Sequence, residues 1–207
     1  MLVWPGPEKI HVNRISSQYE YMALDDFEEL LADKPANEKW ELLGGRVVRM
    51  MVGARWEHNR IVGNVYSALL TGLRAKGSDC RPFSETFWLK NRMLDLACFP
   101  DVIVRCGPLP PDATSLDDPT VLVEVVSKGS AQRDRHEKWV LYNRLPSLRH
   151  YVLIERDMLA VDVHDRIEGG FFERPRLTLA QDLLRLPAFD FELPLAEIYR
   201  DVIAPTS

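Results

Sequence analysis

The spacing of apolar side chains along the chain predicts four helices. Apolar residues recur at three- and four-residue intervals over 24–31 and over 57–76, as they do on the buried face of an amphipathic helix. The same periodicity predicts a helix over 130–145, where Pro146 follows and prevents continuation. A short helix over 195–203 closes the chain.

Other segments have the alternating or continuous apolar pattern of strands. Residues 40–43 and 46–50 flank Gly44-Gly45, a pair that accepts the positive φ angles of a tight hairpin turn. The run 120–126 is almost entirely β-branched, which indicates a strand buried on both faces. Further strands are predicted at 81–89, 100–104, 151–155, 159–163 and 189–193. The order of elements predicts an α/β fold with one mixed central β-sheet flanked by helices.

Length and composition indicate an ordinary globular protein. With 207 residues, of which 46% are hydrophobic and 28% charged, the chain can bury one substantial core. We place a single domain at 22–207, after an N-terminal arm at 1–21. The first twenty residues contain no continuous apolar run of the kind found in signal peptides, and no later segment reads as a membrane span.

The cysteines favour a reducing compartment. Cys80, Cys98 and Cys106 are odd in number and lack CxxC spacing, which argues against a disulfide framework and against a structural zinc site. We therefore expect a cytoplasmic protein with reduced thiols.

The charge balance bears on the class of partner. The formal net charge is -5, whereas proteins that bind nucleic acid usually carry a basic surface that displaces counterions from phosphates. A tight DNA binder is therefore disfavoured by the total. Lys and Arg can still cluster on one face of an acidic protein, and metal sites concentrate carboxylates.

Two carboxylates stand where the pattern predicts burial. Glu124 interrupts the apolar run 121–126, and an unpaired buried carboxylate is costly. Asp101 follows Pro100 at the start of the next predicted strand, so both acids can lie at neighbouring positions of one sheet. Carboxylates that close repel each other, and a divalent cation such as Mg²⁺ or Mn²⁺ relieves the repulsion.

A lysine on the following helix supplies a cation for this pair. Asp134, Lys138, Leu141 and Tyr142 share one helical face, so Lys138 points towards the sheet and requires an anion. The preceding carboxylates are the nearest candidates in sequence. Beside a metal-bound water, an ammonium group can orient the attacking oxygen or stabilise negative charge on a phosphodiester.

Two more polar residues are candidates for the same site. His58 continues the apolar face of the helix at 57–76, and Glu41 lies in the first hairpin strand. Glu41 can act as a further metal ligand or as a hydrogen-bond acceptor for His58, and His58 can contact a phosphate or a water.

Each assignment has a structural alternative. Glu124 and Lys138 can form a buried ion pair without catalysis, His58 can be a satisfied core histidine, and Asp101 can cap a turn after proline. The set is more specific than its members, because three polar groups interrupt three apolar faces.

The ordered motifs resemble a nuclease family. Pro100-Asp101 and Glu124 resemble the Asp and Glu of the PD-(D/E)XK nuclease superfamily. Over about residues 22–165 the chain is more closely similar to the Uma-type restriction endonuclease family of bacteria. The motifs that carry this resemblance are Trp40-Glu41-Leu42 with Gly45-Arg46-Val47, Glu57-His58-Asn59-Arg60-Ile61-Val62-Gly63, Pro100-Asp101-Val102, Val123-Glu124-Val125 with Ser127, and Arg133-Asp134 with Lys138 and Tyr142.

The resemblance implies a restriction endonuclease-like core, Mg²⁺ dependence, DNA as the substrate and a homodimer. One position departs from the superfamily pattern, because Val126 stands where the lysine of (D/E)XK is expected. The family recruits this lysine from the following helix, which here gives Lys138, with Lys128 as the alternative. Two functions follow: a metal-dependent DNA endonuclease, or an inactive nuclease-fold binding or assembly module in which the charged cluster is structural. The acidic composition favours the second.

Overall fold

The predicted N-terminal hairpin forms. In the computed structural model, which describes residues 21–51 and 53–203, helix α1 (Leu24–Leu30) is followed by strands β1 (Glu38–Leu43) and β2 (Arg46–Met51). Gly44 and Gly45 connect the strands with φ angles of 59° and 81°, which glycine adopts without steric cost. The arm predicted at 1–21 lies outside the described residues except for its last position.

Helix α2 (Trp56–Ala75) also follows the prediction. Its apolar stripe is buried, and the left-handed Gly77 (φ 64°) lies just beyond its end. Within the described part of the chain, no helix combines the length and apolar character needed to cross a membrane.

The segment predicted as one strand at 81–89 contains two. Strand β3 (Cys80–Ser84) ends in a turn closed by a hydrogen bond from the Phe87 N–H to the Ser84 carbonyl, and strand β4 (Trp88–Asn91) belongs to a different sheet. The single-strand prediction was wrong because apolar alternation continues across the turn. The chain continues through β5 (Leu96–Cys98), β6 (Val102–Cys106), β7 (Ser115–Leu116) and β8 (Val121–Val126).

Helix α3 is shorter and less regular than the predicted helix at 130–145. Its α-helical part is Lys138–Tyr142, and it is preceded by a π-helical turn over Arg133–Glu137. The Lys138 N–H donates to the Arg133 carbonyl five residues earlier, and the Tyr151 hydroxyl donates to the Asp134 carbonyl at 2.7 Å. Wide turns of this kind often occur at functional sites.

The C-terminal part of the described chain adds five strands and a short helix. Strands β9 (His150–Glu155) and β10 (Val161–Ile167) correspond to the strands predicted at 151–155 and 159–163, and they pair antiparallel. Beyond them lie β11 (Gly170–Glu173), β12 (Leu183–Leu186), β13 (Phe191–Pro194) and α4 (Leu195–Ile198). The prediction missed β11 and β12 and made the last helix too long.

The strands form two mixed sheets where the sequence predicted one. The five-stranded sheet has the order β2-β1-β5-β4-β7, and the six-stranded sheet has the order β11-β10-β9-β8-β6-β3, with β4–β7 and β8–β9 parallel. The chain crosses between the sheets at Phe99-Pro100-Asp101, where the proline lacks the N–H needed to continue a ladder. A separate two-stranded sheet pairs β12 with β13.

Helices cover both faces of the six-stranded sheet. Along β8, Val123 and Val125 pack in the core that contains α2, whereas Leu122 and Val126 pack in the core that contains α3. This alternation directs Glu124 to the α3 side.

The expectation of reduced thiols is wrong for two cysteines. Cys80 and Cys106 are direct cross-strand partners in β3 and β6 and form a disulfide, while Cys98 is free and buried. Spacing along the sequence does not reveal such a pair, because strand register sets it.

Candidate functional site

Glu124 lines a cavity, and one of its carboxylate oxygens is fixed by two hydrogen bonds. The Lys138 Nζ donates to Glu124 Oε1 at 2.8 Å, and the Tyr142 hydroxyl donates to the same oxygen at 3.0 Å. Among the described residues, no hydrogen bond reaches Oε2. The strand run and the helical phase of Lys138 therefore bring these two residues together as the sequence predicted.

Asp101 lies beside Glu124. Val102 pairs with Val123, so one further step of that register sets Asp101 opposite Glu124. Asp101 Oδ2 accepts a hydrogen bond from the Val125 N–H at 2.6 Å, and Oδ1 lies 3.3 Å from His58 Nε2. The turn-cap alternative does not describe this residue, since its backbone partner is in the neighbouring strand.

Glu41 reaches the site from the other sheet. Its side chain is 1% exposed, and Oε1 accepts a hydrogen bond from the Phe99 N–H at 3.1 Å in the bend between the sheets. The second oxygen, Oε2, is buried without a hydrogen-bond partner in the described chain and lies 3.9 Å from Lys138 Nζ. Glu41 is not a hydrogen-bond acceptor for His58, whose carboxylate partner is Asp101.

A fourth buried carboxylate belongs to the site. Asp134 Oδ1 lies 3.5 Å from Lys138 Nζ and 3.6 Å from Arg133 Nε, yet forms no hydrogen bond within the described residues. The sequence placed Asp134 on the inward face of the helix but did not assign it to the site. Its position four residues before Lys138 was the available signal.

We call Glu41, Asp101, Glu124 and Asp134 with Lys138 the acidic cluster, and its environment shifts the pKa values of Glu124 and Lys138. Burial raises the pKa of Glu124 to about 8, since the Lys138 ammonium offsets only part of the desolvation and Asp134 adds repulsion. Burial alone would lower the pKa of Lys138, but the surrounding carboxylates raise it well above its ordinary value. The lysine is therefore charged, and it is shared by several acids.

Asp101 and His58 stabilise each other's charged forms. Burial opposes ionisation of Asp101, but the His58 contact and the Val125 N–H outweigh it and hold the pKa of Asp101 below its ordinary value. Burial alone would likewise lower the pKa of His58, but the contact with Asp101 raises it by more. The pKa of His58 is therefore above its ordinary value. His58 has a 16% exposed side chain that faces the cavity, so it is not a core histidine.

The cavity that contains these groups has a volume of about 750 Å³ and also has basic and aromatic walls. Its further charged or aromatic lining residues are Lys34, Glu38, Lys39, Trp40, Arg55, Glu85, Trp88, Phe99, Arg133 and Arg156. Lys128 is exposed in the turn after β8 and does not line the cavity. Sequence reasoning did not identify Glu85, because the single strand predicted there hides the turn that directs it inward.

The donor set fits a hard divalent cation. Glu41, Asp101 and Glu124 each have one oxygen fixed by a protein N–H or O–H, or by an ammonium, which orients the carboxylate. Two buried oxygens, Glu41 Oε2 and Asp134 Oδ1, lack the hydrogen bonds that buried polar atoms normally form. Carboxylate oxygens are the ligands that Mg²⁺ and Mn²⁺ favour.

Comparison with solved structures shows the fold. A crystal structure of a "putative nuclease belonging to DUF820" from Anabaena variabilis matches with a TM-score of 0.70 at 17% identity, over 88% of this chain and 99% of that chain. The described chain therefore has the restriction endonuclease-like fold that the motifs predicted.

Comparison with known sequences gives the family. The uncharacterized protein slr1290 of Synechocystis sp. is 27% identical over 177 residues, covering 84% of this chain and 90% of that protein. A second uncharacterized Synechocystis protein, sll1609, is 24% identical over 143 residues, covering 68% and 79%. The model of the Uma2 family, described as "Putative restriction endonuclease", matches residues 24–196. Together with the site motifs, this match shows that the chain belongs to the Uma2 family.

Proposed function

We propose that this protein is a Mg²⁺- or Mn²⁺-dependent endonuclease that hydrolyses phosphodiester bonds of DNA. Asp101, Glu124 and Glu41 are the proposed metal ligands. The observation that carries the proposal is the convergence of three carboxylates from two sheets on one cavity, each with one fixed oxygen. The family description and the nuclease named among the structural matches support the same class of reaction.

In this proposal, hydrogen bonds within the protein fix the orientation of the carboxylates that bind the metal. A bound divalent cation would supply Lewis acidity, lowering the pKa of a coordinated water and neutralising phosphate charge. Lys138 and Tyr142 fix Glu124 through the same oxygen, Oε1, so the carboxylate keeps one orientation. The Phe99 N–H does the same for Glu41.

Lys138 has a second role in this proposal. Its ammonium is 3% exposed, lines the cavity and is surrounded by carboxylates that keep it protonated. A fixed positive charge in a site of low dielectric constant stabilises negative charge that develops on a phosphate oxygen. Asp134, 3.5 Å away, limits where the ammonium can go.

The cavity walls suit an anionic polymer despite the acidic total charge. Lys34, Lys39, Arg55, Arg133 and Arg156 line the same cavity as the carboxylates. Such a local grouping of cations can contact the phosphates on either side of the bond that is cut. A homodimer and a cytoplasmic location stay predictions.

The alternative of a purely structural ion-pair network is less consistent with the geometry. A network selected for stability satisfies its buried polar atoms. Here three buried carboxylates lie within 4.0 Å of one buried ammonium, and two of their oxygens, Glu41 Oε2 and Asp134 Oδ1, have no hydrogen-bond partner in the described chain. This imbalance supports a site completed by a cation.

Cleavage assays test the proposal directly. Purified protein is incubated with supercoiled plasmid, single-stranded DNA and RNA, in Mg²⁺, in Mn²⁺ and in EDTA. We expect metal-dependent cleavage of DNA that is lost in Asp101→Ala and Glu124→Ala, each checked for folding by circular dichroism.

Asp25→Asn is the matched control, because this aspartate is exposed, pairs with the exposed Arg92 and, like Arg92, does not line the cavity. Absence of cleavage under every condition, or equal cleavage by both site variants, would contradict the proposal. Cleavage of RNA alone would correct the substrate.

A further inference from the structure

One side of the cavity, which we call the aromatic wall, is apolar. It is built by the five-stranded sheet and the bend that leaves it, and its members are Trp40, Met50, Met51, Trp88 and Phe99. Trp88 and Phe99 are each partly exposed and lie against each other, with ring centroids 3.6 Å apart. Met51 is 68% exposed although it belongs to a strand. The aromatic wall therefore presents apolar surface that the fold does not bury.

The side of the cavity formed by the six-stranded sheet and its helices carries arginines. Arg55 directly precedes α2, Arg133 begins the π-helical turn before α3, and Arg156 directly follows β9. Arg133 Nε is buried without a hydrogen-bond partner among the described residues. The aromatic wall has a cation as well, since Lys39 Nζ lies 5.0 Å from the centroid of the Phe99 ring. The cavity thus combines ring surface with groups that bind phosphate.

We propose that the substrate of this site is single-stranded DNA, and that Trp88 and Phe99 stack on a nucleobase next to the phosphate that is cut. The inference rests on the proposed nuclease function and narrows its substrate class. Proteins that hold single strands stack bases on aromatic side chains and contact the backbone with cations. The aromatic wall and the arginines supply these two kinds of contact within one cavity.

The burial of the proposed metal ligands favours an unpaired strand. Glu41, Asp101 and Glu124 are only 1%, 8% and 3% exposed, so the reacting phosphate has to enter the cavity to meet an ion held by them. The cavity volume of about 750 Å³ is in the range of small-molecule pockets, which suits one or two nucleotides. A base within a duplex is paired and stacked, and its extraction costs free energy that an unpaired strand does not spend.

The acidic composition points the same way. Binding to duplex DNA depends strongly on neutralising many phosphates, which a protein with a formal net charge of -5 is poorly suited to do over a wide surface. Stacking on an aromatic ring adds affinity that does not require positive charge. A short unpaired segment held by the aromatic wall and a few cations therefore fits this chain better than a duplex does.

Binding to three matched probes tests the inference on the full-length protein. The probes are a fluorescein-labelled strand of about 12 deoxythymidines, an abasic strand of the same length, and a duplex of the same length. Fluorescence anisotropy is measured with Ca²⁺, which binds carboxylate oxygens. We expect the thymidine strand to bind about 10-fold more tightly than the abasic strand or the duplex.

Substitution of Trp88 should remove this preference for bases. Trp88→Leu should weaken binding of the thymidine strand by about 10-fold and leave binding of the abasic strand unchanged, because leucine keeps apolar bulk beside Phe27 but has no ring. Trp88→Phe should restore most of the lost affinity. Comparison of the two strands separates lost stacking from a general defect of the fold, which would weaken binding of both.

Trp139→Leu is the matched control for Trp88→Leu. Trp139 is also a partly exposed indole, but it stacks on His164 and does not line the cavity. It should bind all three probes as the wild type does. Circular dichroism confirms the fold of each variant. In Mg²⁺ or Mn²⁺, single-turnover cleavage of the thymidine strand should be at least about 10-fold faster than cleavage of the duplex.

The outcomes separate this inference from the proposed function. Equal affinity for the thymidine and abasic strands, or equal losses in Trp88→Leu and Trp139→Leu, overturns the stacking role and leaves the proposed nuclease intact. Faster cleavage of the duplex overturns the substrate class and still supports a nuclease. Base-dependent binding that is lost in Trp88→Leu, without cleavage in any metal, supports the stacking role and overturns the proposed function. Failure to bind any of the probes overturns the inference.

Discussion

Asp134 and Arg135 are adjacent in the π-helical turn before α3, yet they belong to two clusters that differ in charge balance, one with an excess of acids and one with equal numbers of acids and bases. Asp134 faces the acidic cluster. Arg135 faces what we call the arginine cluster, formed by Arg135 and Arg176 with Glu155 and Asp162. In the arginine cluster, two guanidinium groups meet two carboxylates.

The arginine cluster satisfies its own hydrogen bonds. Arg135 donates to Asp162 and to Glu155, each at 2.6 Å, and Arg176 donates to both oxygens of Asp162 at 2.7 and 2.8 Å. Burial opposes ionisation of Asp162, but the two arginines outweigh it and hold its pKa below the ordinary value. This is how a structural ion-pair network is built.

The acidic cluster does not balance its own charges or complete its own hydrogen bonds. Its carboxylates outnumber its one ammonium, and burial raises the pKa of Glu124, whereas the pKa of Asp162 is lowered. Both clusters are rich in charge, so charge density alone does not identify a functional site. The unsatisfied oxygens distinguish the one that we expect to take a ligand.

The largest contrast should appear in catalysis. Glu124→Gln should lower the single-turnover rate of DNA cleavage by about 10³-fold or more, roughly 4 kcal/mol of barrier, because it removes a metal-binding charge. Glu155→Gln, which makes the same chemical change in the arginine cluster, should lower the rate by less than about 10-fold. Equal losses in the two variants would show that the clusters do not differ in function.

Substitution in the arginine cluster should lower the stability of the fold. Asp162→Asn should lower the free energy of unfolding by about 2 kcal/mol in urea denaturation, because two arginines lose their shared carboxylate and Asp162 is nearly buried. Both arginines are partly exposed, so solvent screens their charges and the expected loss is no larger. Asp157→Asn, at an exposed site, should change stability by less than about 0.5 kcal/mol. A neutral Asp162→Asn would contradict a structural role.

Neutralising an acid in the acidic cluster should increase the stability of the metal-free protein, whereas Asp162→Asn lowers it. Glu41→Gln should raise the unfolding free energy of the metal-free protein by about 1 kcal/mol, because it removes a buried charge among like charges while an oxygen can still accept from the Phe99 N–H. The same variant should gain less stability from added Mg²⁺ than the wild type. A destabilised metal-free Glu41→Gln would mean that the cluster is balanced without a cation.

The smallest effects should come from the histidines. Burial lowers the pKa of His150, and its ring Nε2 accepts a hydrogen bond from the Ala188 N–H at 3.3 Å, so the folded protein keeps it neutral. Burial also lowers the pKa of His164, which stacks on Trp139. His58 has the opposite shift in the metal-free protein.

The folded pKa values of His150 and His164 are below the unfolded value of about 6.5. As pH falls below that value, the unfolded chain binds protons at these histidines before the folded chain does. Their contribution to stability is therefore complete above that pH and is lost as pH falls below it. We expect the urea midpoint of the wild type to fall relative to that of His150→Gln from pH 7 to pH 5, because the variant lacks this titration. In NMR titrations of metal-free protein, His58 should titrate above both of the other rings. A reversed order would contradict the assignment of His58 to the acidic environment.

Much of the site could be predicted because burial limits what a polar residue can do. Glu124 in an apolar strand and Lys138 on an apolar helical face each required a partner, and the structure joins them at 2.8 Å. Asp101 and Glu41 were recognised from motif order as well as pattern. Their ligand roles stay predictions.

The features that were missed depend on three-dimensional placement. The bend at Phe99-Pro100-Asp101 divides the strands into two sheets, and apolar alternation does not encode that division. Glu85 enters the cavity from a turn that looks like strand, and the partners of Arg135 come from strands whose pairing only the fold reveals.

The Cys80–Cys106 disulfide gives the chain a covalent topology with consequences for its folding. The bridge spans 26 residues of sequence and turns them into a ring that contains Glu85, Phe99 and Asp101. Closing a ring of this size removes roughly 3–4 kcal/mol of conformational freedom from the unfolded chain in the loop-entropy description. Oxidised and reduced protein are therefore two molecules with different unfolded ensembles, and only the oxidised one keeps this part of the cavity wall tethered when the sheets come apart.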